Sequence, residues 1–148
     1  MGSNTRASAA MALLGAMALV VSACSAGPSP AASAGEASGQ SVAITLSEFE
    51  ITTSATSVPA GTVRFEITNS GTVEHEFLVV RTDVAAADLP VTDSDVPEED
   101  LEVVDEVEHI APGTEAALEL DLAAGHYVLI CNLPGHYDGG MSADFAVE

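Results

Sequence analysis

The sequence contains no tryptophan and no lysine, and its only basic residues are Arg6, Arg64 and Arg81, set against 23 acids. A chain of formal net charge −20 has no basic surface with which to neutralise phosphates, so nucleic acid is not an expected partner. The same repulsion disfavours docking on anionic lipid by charge, and membrane attachment would require a covalent or hydrophobic anchor. Cysteine is scarce too: Cys24 and Cys131 are the only two. If Cys24 is a processing site, Cys131 stands alone and the folded part has no internal disulfide. Aromatic residues make up 4% of the chain, and the apolar content is dominated by alanine and valine, which points to a small aliphatic core.

What is present begins with a targeting pattern. Residues 1–8 carry Arg6 and no acid, Ala9 to Val21 is a 13-residue apolar run, and Ser22-Ala23-Cys24 follows. The run is too short to span a bilayer and reads as a secretory signal over residues 1–23. Val21-Ser22-Ala23-Cys24 resembles the bacterial lipobox, which implies that Cys24 is lipidated and becomes the mature N-terminus. Ordinary cleavage nearby would instead release a soluble protein. Residues 24–41 then form a linker, mostly Ser, Ala, Gly and Pro, a composition that cannot bury apolar surface. Sixteen such residues, Ser25 to Gln40, would have an end-to-end distance of roughly 20 Å.

From Val42 to Glu148 the pattern is β. Val42, Ile44 and Leu46 alternate with polar or small residues, and Phe49 and Ile51 continue the series. Residues 57–61 (SVPAG) form a turn. Val63, Phe65 and Ile67 then face one way, with Arg64, Glu66 and Thr68 facing the other. Asn69-Ser70-Gly71 turns the chain into the strand EFLVVR, with His75 at its start. Residues 83–108 hold 11 acids and no base and read as a solvated excursion, with either a short helix after Pro97 or a strand around Val103 to Val107. Alternation resumes at Ala116 to Leu122 and again at Ala143 to Val147. Some seven short strands predict an all-β antiparallel sandwich with an acidic inserted segment.

The chemistry is concentrated in residues 125–141, GHYVLICNLPGHYDGGM. A β-prone run delivers Cys131 into a loop, and Pro134-Gly135 and Gly139-Gly140 supply the tight backbone that lets Cys131, His136 and Met141, five residues apart each, converge. A thiolate, imidazole and a thioether form the donor set that selects copper in electron-transfer sites. Zinc would use the same His and Cys donors but has no need of a thioether.

These residues, with Val58-Pro59-Ala60-Gly61 before a strand and Asn69-Ser70-Gly71 shortly before His75, resemble the cupredoxins, the type 1 blue copper proteins. The ligand loop is most similar to those of auracyanin, sulfocyanin and the phytocyanins. The resemblance implies a Greek-key sandwich with one copper at its end, held by His75, Cys131, His136 and the axial Met141. His109 and His126 are not needed as ligands. Glu76 departs from the family's pattern, where Asn, Ser or Thr commonly follows the first histidine and helps to bridge the ligand loops; Thr114 or Asn132 is an alternative source of that support.

The implied function is a non-enzymatic, single-electron carrier, tethered outside the cytoplasmic membrane through lipidated Cys24. It would be monomeric and would exchange electrons with a redox donor and acceptor, with the acidic surface fitting a cationic docking face. The alternative is copper storage, buffering or delivery. A nucleophilic role for Cys131 would require an oriented base and an oxyanion site, and no separate third member of a triad stands out.

Overall fold

A computed structural model describes residues 39–148. The signal segment, Cys24 and all but the last few residues of the linker lie outside the described residues.

Among the described residues, nine strands form two sheets: β1 (Gln40–Ser47), β2 (Glu50–Thr53), β3 (Ser57–Val58), β4 (Gly61–Asn69), β5 (His75–Arg81), β6 (Glu102–Ile110), β7 (Glu115–Leu122), β8 (Gly125–Ile130) and β9 (Ser142–Val147). The first sheet has the order β2-β1-β4-β7 and the second β3-β9-β8-β5-β6. The chain crosses repeatedly between the sheets, as in the expected sandwich. Most pairings are antiparallel, but β1–β4 and β3–β9 run parallel.

Two of the nine strands arise where the sequence pattern changes phase. Val42, Ile44 and Leu46 are buried on one face of β1, and continued alternation would bury residue 48. Instead the chain turns at Glu48-Phe49, Ile51 re-enters the core from β2, and Phe49 remains 46% exposed. Phe49 therefore does not continue the β1 series as expected. Ser57-Val58, expected as part of a turn, forms a two-residue strand beside Ala146 and Val147.

The main core lies between the sheets and is centred on Phe65, Phe77 and Phe145, whose rings pack with centroids 5.5 Å apart from Phe65 to each of the others. A second core lies on the opposite side of the second sheet. Leu78 and Val80 of β5 and Val128 and Ile130 of β8 point away from the main core and are covered by Ala86, Leu89, Val96 and Tyr137. The acidic segment is thus not simply a solvated excursion. Its first part is a strap across this sheet, Glu98–Asp100 form one turn of 3-10 helix, and Glu102–Ile110 become edge strand β6 paired with β5.

The cover is energetically necessary. Four aliphatic side chains left in water would cost on the order of 6–12 kcal/mol at about 1.5–3 kcal/mol each. That is comparable with the whole stability of a typical domain, about 5–15 kcal/mol. Ala86, Leu89 and Val96 are therefore held down while most of the strap's acids remain in solvent.

Candidate metal centre

His75 opens β5, and Cys131 directly follows the last residue of the neighbouring strand β8. The two strands pair antiparallel, so both side chains arrive at the same end of the sandwich. Both are fully buried. His136 comes from the loop between β8 and β9 and is half-buried. The donor atoms of the three residues lie within 4.8 Å of one another, the only such His/Cys/Asp/Glu cluster among the described residues. His75 Nδ1 is 3.2 Å from His136 Nδ1, and Cys131 Sγ is 3.3 Å from His136 Nδ1 and 3.9 Å from His75 Nδ1.

This triangle is one that a metal would satisfy. Bonds of about 2.0–2.3 Å to a shared trigonal centre imply edges of about 3.5–3.7 Å, close to those observed. Two ring nitrogens facing each other beside a sulfur cannot all satisfy their lone pairs with one another, whereas a shared cation satisfies all three. The donor set of two imidazoles and one thiolate fits one copper.

Electrostatics favours an uncharged His75: burial first, and then the adjacent His136 ring, hold it below the usual imidazole range, with Glu48 opposing. A neutral imidazole has a lone pair on one ring nitrogen and a proton on the other, so with the proton on Nε2 the Nδ1 atom can ligate. Burial pushes the Cys131 thiol up, while the N–H groups of Glu76 and Leu133 pull it down. A bound cation would reverse the first effect by stabilising the thiolate.

The loop is held by its own backbone. Cys131 N–H donates to Met141 O at 3.1 Å, Met141 N–H to His136 O at 3.1 Å, and His136 N–H to Leu133 O at 2.8 Å. Met141 is fully buried and thus tied to both of the other loop residues in the expected set. Gly135 has φ +81°, a left-handed conformation that glycine adopts at little cost. Gly139 has a different reason: a Cβ there would sit 2.7 Å from Phe49 Cγ. Phe49 in turn packs edge-on against the His136 ring, with centroids 5.3 Å apart.

Sequence reasoning missed the supporting roles of Glu48 and Asn69, and left open those of Glu76, Thr114 and Asn132. Glu48 accepts hydrogen bonds from the Thr72 and Val73 N–H groups and the Thr72 hydroxyl, fixing the turn before His75. Buried Asn69 fixes the same turn, donating to Val73 O at 2.9 Å and Ile110 O at 2.8 Å and accepting from Gly71 N–H at 2.8 Å. Glu76 itself links the two ligand-bearing segments, its Oε1 accepting from Asn132 N–H at 2.8 Å. The Thr114 hydroxyl instead donates to Ala111 O at 2.7 Å within its own turn. Asn132 secures the strap, accepting from Val96 N–H at 2.7 Å and donating to Val96 O and Glu98 Oε1, each at 2.9 Å. The phase break at Phe49 was the one available signal for the β1–β2 turn. The partners of Glu48 and Asn69 are set by loop geometry, which the pattern of residues does not encode.

His109 and His126 are absent from the cluster. His109 Nδ1 lies 3.0 Å from Glu74 Oε1 at the surface. His126 lies at the opposite end of β8, its ring nitrogens 2.6 Å from Thr82 O and 3.0 Å from Asp144 Oδ1.

No curated protein matches the chain in sequence. Among solved structures, the chain is similar to a reduced auracyanin from Roseiflexus castenholzii, with 21% identity and a TM-score of 0.57 over 74% of this chain and 98% of that one. It is similar to auracyanin A, described as a blue copper protein from Chloroflexus aurantiacus, with 23% identity and a TM-score of 0.52 over 73% and 99%. Reduced rusticyanin matches with 22% identity and a TM-score of 0.52 over 75% of this chain and 81% of that one. At these identities the likeness is one of fold. The family model described as a cupredoxin-like domain matches residues 11–141, most of the chain, and the protein belongs to that family.

Proposed function

We propose that this protein is a single-electron carrier with one type 1 copper held by His75, Cys131, His136 and Met141, anchored outside a bacterial cell membrane through lipidated Cys24. The observation that carries the reading is the convergence of His75 Nδ1, His136 Nδ1 and Cys131 Sγ at one end of the sandwich. Copper in such a site alternates between its cuprous and cupric states and so stores one electron. The chain supplies the rest. Ligands from two segments 56 residues apart are fixed by a rigid β scaffold, which limits rearrangement between oxidation states. Burial of Cys131 keeps solvent from the thiolate, and half-buried His136 offers a short path to the surface. A protein that delivers copper would favour weaker or more exposed donors; the buried thiolate supports the carrier reading over delivery.

The test is Cu(II) addition to the purified domain. One equivalent should give an intense thiolate-to-copper charge-transfer band. Cys131→Ser should abolish it, whereas Met141→Leu should retain the colour and shift the potential, because the axial bond is weak. A band that survives Cys131→Ser would sink the ligand assignment. In cells, the same protein should follow the membrane fraction, and Cys24→Ala should be released or left unprocessed. An identical distribution of the two would rule out the anchor.

A further inference from the structure

In the sequence, Glu76 is the residue that departs from its family's pattern, yet its position in the structure is central. Extending the antiparallel pairing of Leu78 with Ile130 by two residues places Glu76 opposite Asn132. His75 and Phe77 face the site and the main core, so alternation turns the Glu76 side chain to the strap side of the sheet. A bulge assists: His75 pairs with Ile110 but Phe77 with Val107, and His109 in the extra stretch has φ +55°. The side chain is half-buried there, and its Oε1 accepts from Asn132 N–H at 2.8 Å. Its own backbone N–H points the other way, towards Cys131 Sγ at 3.5 Å.

We propose that Glu76 is a positioning residue that joins the two ligand-bearing segments through its carboxylate and, by the negative charge it places at the Asn132 amide next to Cys131, lowers the reduction potential of the centre. This rests on the copper reading above. The joining function follows from geometry: Asn132 is covalently next to Cys131, so a bond from Glu76 to the Asn132 amide fixes His75 and Cys131 relative to each other. The tuning function follows from sign. The cupric state carries one more positive charge than the cuprous state, so a nearby negative charge favours the oxidised form. The Glu76 N–H acts in the opposite sense, because a hydrogen bond to the thiolate withdraws electron density from the metal. A neutral Asn, Ser or Thr at this position would retain the backbone contribution and lack the charge. Glu76 adds to the bridge an electrostatic bias that those residues do not supply. The half-buried carboxylate is screened less than a fully exposed charge.

Two substitutions separate the roles. Glu76→Gln retains an oxygen acceptor and removes the charge; Glu76→Ala removes both. Amide hydrogen exchange on the metal-free protein tests the bridge without copper: Asn132 N–H should be protected in wild type and Glu76→Gln and exchange much faster in Glu76→Ala. Equal exchange in all three overturns the bridge. Redox titration of the copper-loaded proteins tests the charge. Glu76→Gln should keep the charge-transfer band and raise the equilibrium constant for reduction by about tenfold, which is about 59 mV for one electron. A potential equal to or below that of wild type overturns the tuning role. If wild type itself shows no band with Cu(II), the copper reading fails, and the exchange result still decides the bridge.

Discussion

Glu48 shows how much of the site is maintained by residues that never touch it. Its carboxylate gathers three donors from the turn before His75, and those hydrogen bonds, led by that from Thr72 N–H, lower its pKa from 4.5 to about 2. A carboxylate whose folded pKa lies below its unfolded value stabilises the fold above the unfolded pKa, and that contribution is lost as pH falls through the folded one. The window is therefore about pH 4.5 to 2. Glu48→Gln should lower the thermal midpoint of the metal-free protein at pH 7, and the two midpoints should draw together as the pH falls to 2. All other carboxylates are common to both proteins and cancel in the difference. A gap that stays constant from pH 7 to 2 would show that the charge of Glu48 is not what holds the turn. Nothing in the sequence marks this role, since an exposed acid next to an aromatic reads as ordinary surface. That His75, Cys131 and His136 would meet was legible, by contrast, because the pattern of a metal site restricts residue type and loop spacing together.

At the level of elements, most of the core strands were legible and the strap was not. The clean alternation of β4 gave its position and its inward face, Val63, Phe65 and Ile67, directly. The runs FLVV in β5 and YVLI in β8 contained a further signal, because a strand apolar at consecutive positions is buried on both faces and needs a cover. The segment that provides the cover carries 11 acids over residues 83–108, and that charge masks the few apolar residues that anchor it. Tyr137 is the clearest anchor. It is 6% exposed, its hydroxyl donates to Ala86 O at 2.6 Å and accepts from Leu89 N–H at 3.0 Å, and it directly follows His136. Tyr137→Phe leaves both strap groups without a partner and should cost about 1–3 kcal/mol in denaturant unfolding. Hydrogen exchange should rise at Leu89 and in the strap before it rises in β4. A stability change below about 0.5 kcal/mol, the range of an unremarkable surface substitution, would mean that packing alone retains the strap.

For the whole molecule, charge is the dominant property. Arg64 and Arg81 are the only basic side chains among the described residues, and Arg64 already lies 3.8 Å from Glu66 and 3.9 Å from Glu119. Such a field speeds encounter with a cationic partner, and its reach shrinks as the screening length falls from about 30 Å at 0.01 M salt to about 10 Å at 0.1 M. The structure places much of the acid on the strap and β6, beside β5, while Phe49 packs on the His136 ring and Leu133 and Pro134 lie just before it in the ligand loop. Steering and electron exit would therefore use adjacent surfaces, the first setting the encounter rate and the second the contact. Glu98 is a poor probe of steering because its carboxylate also accepts from Asn132. Glu99, Asp100 and Glu102 are exposed and free of that complication, so neutralising these three together isolates the field. In stopped-flow mixing with a basic electron acceptor, the reduced copper protein should oxidise rapidly at low salt and more slowly as salt rises, and the triple variant should show a flatter dependence. Metal analysis afterwards should find the copper still bound, as the buried thiolate requires. Slow oxidation with copper recovered on an acceptor apoprotein would overturn the carrier reading in favour of delivery, and a salt dependence unchanged in the variant would remove this acidic face from the encounter.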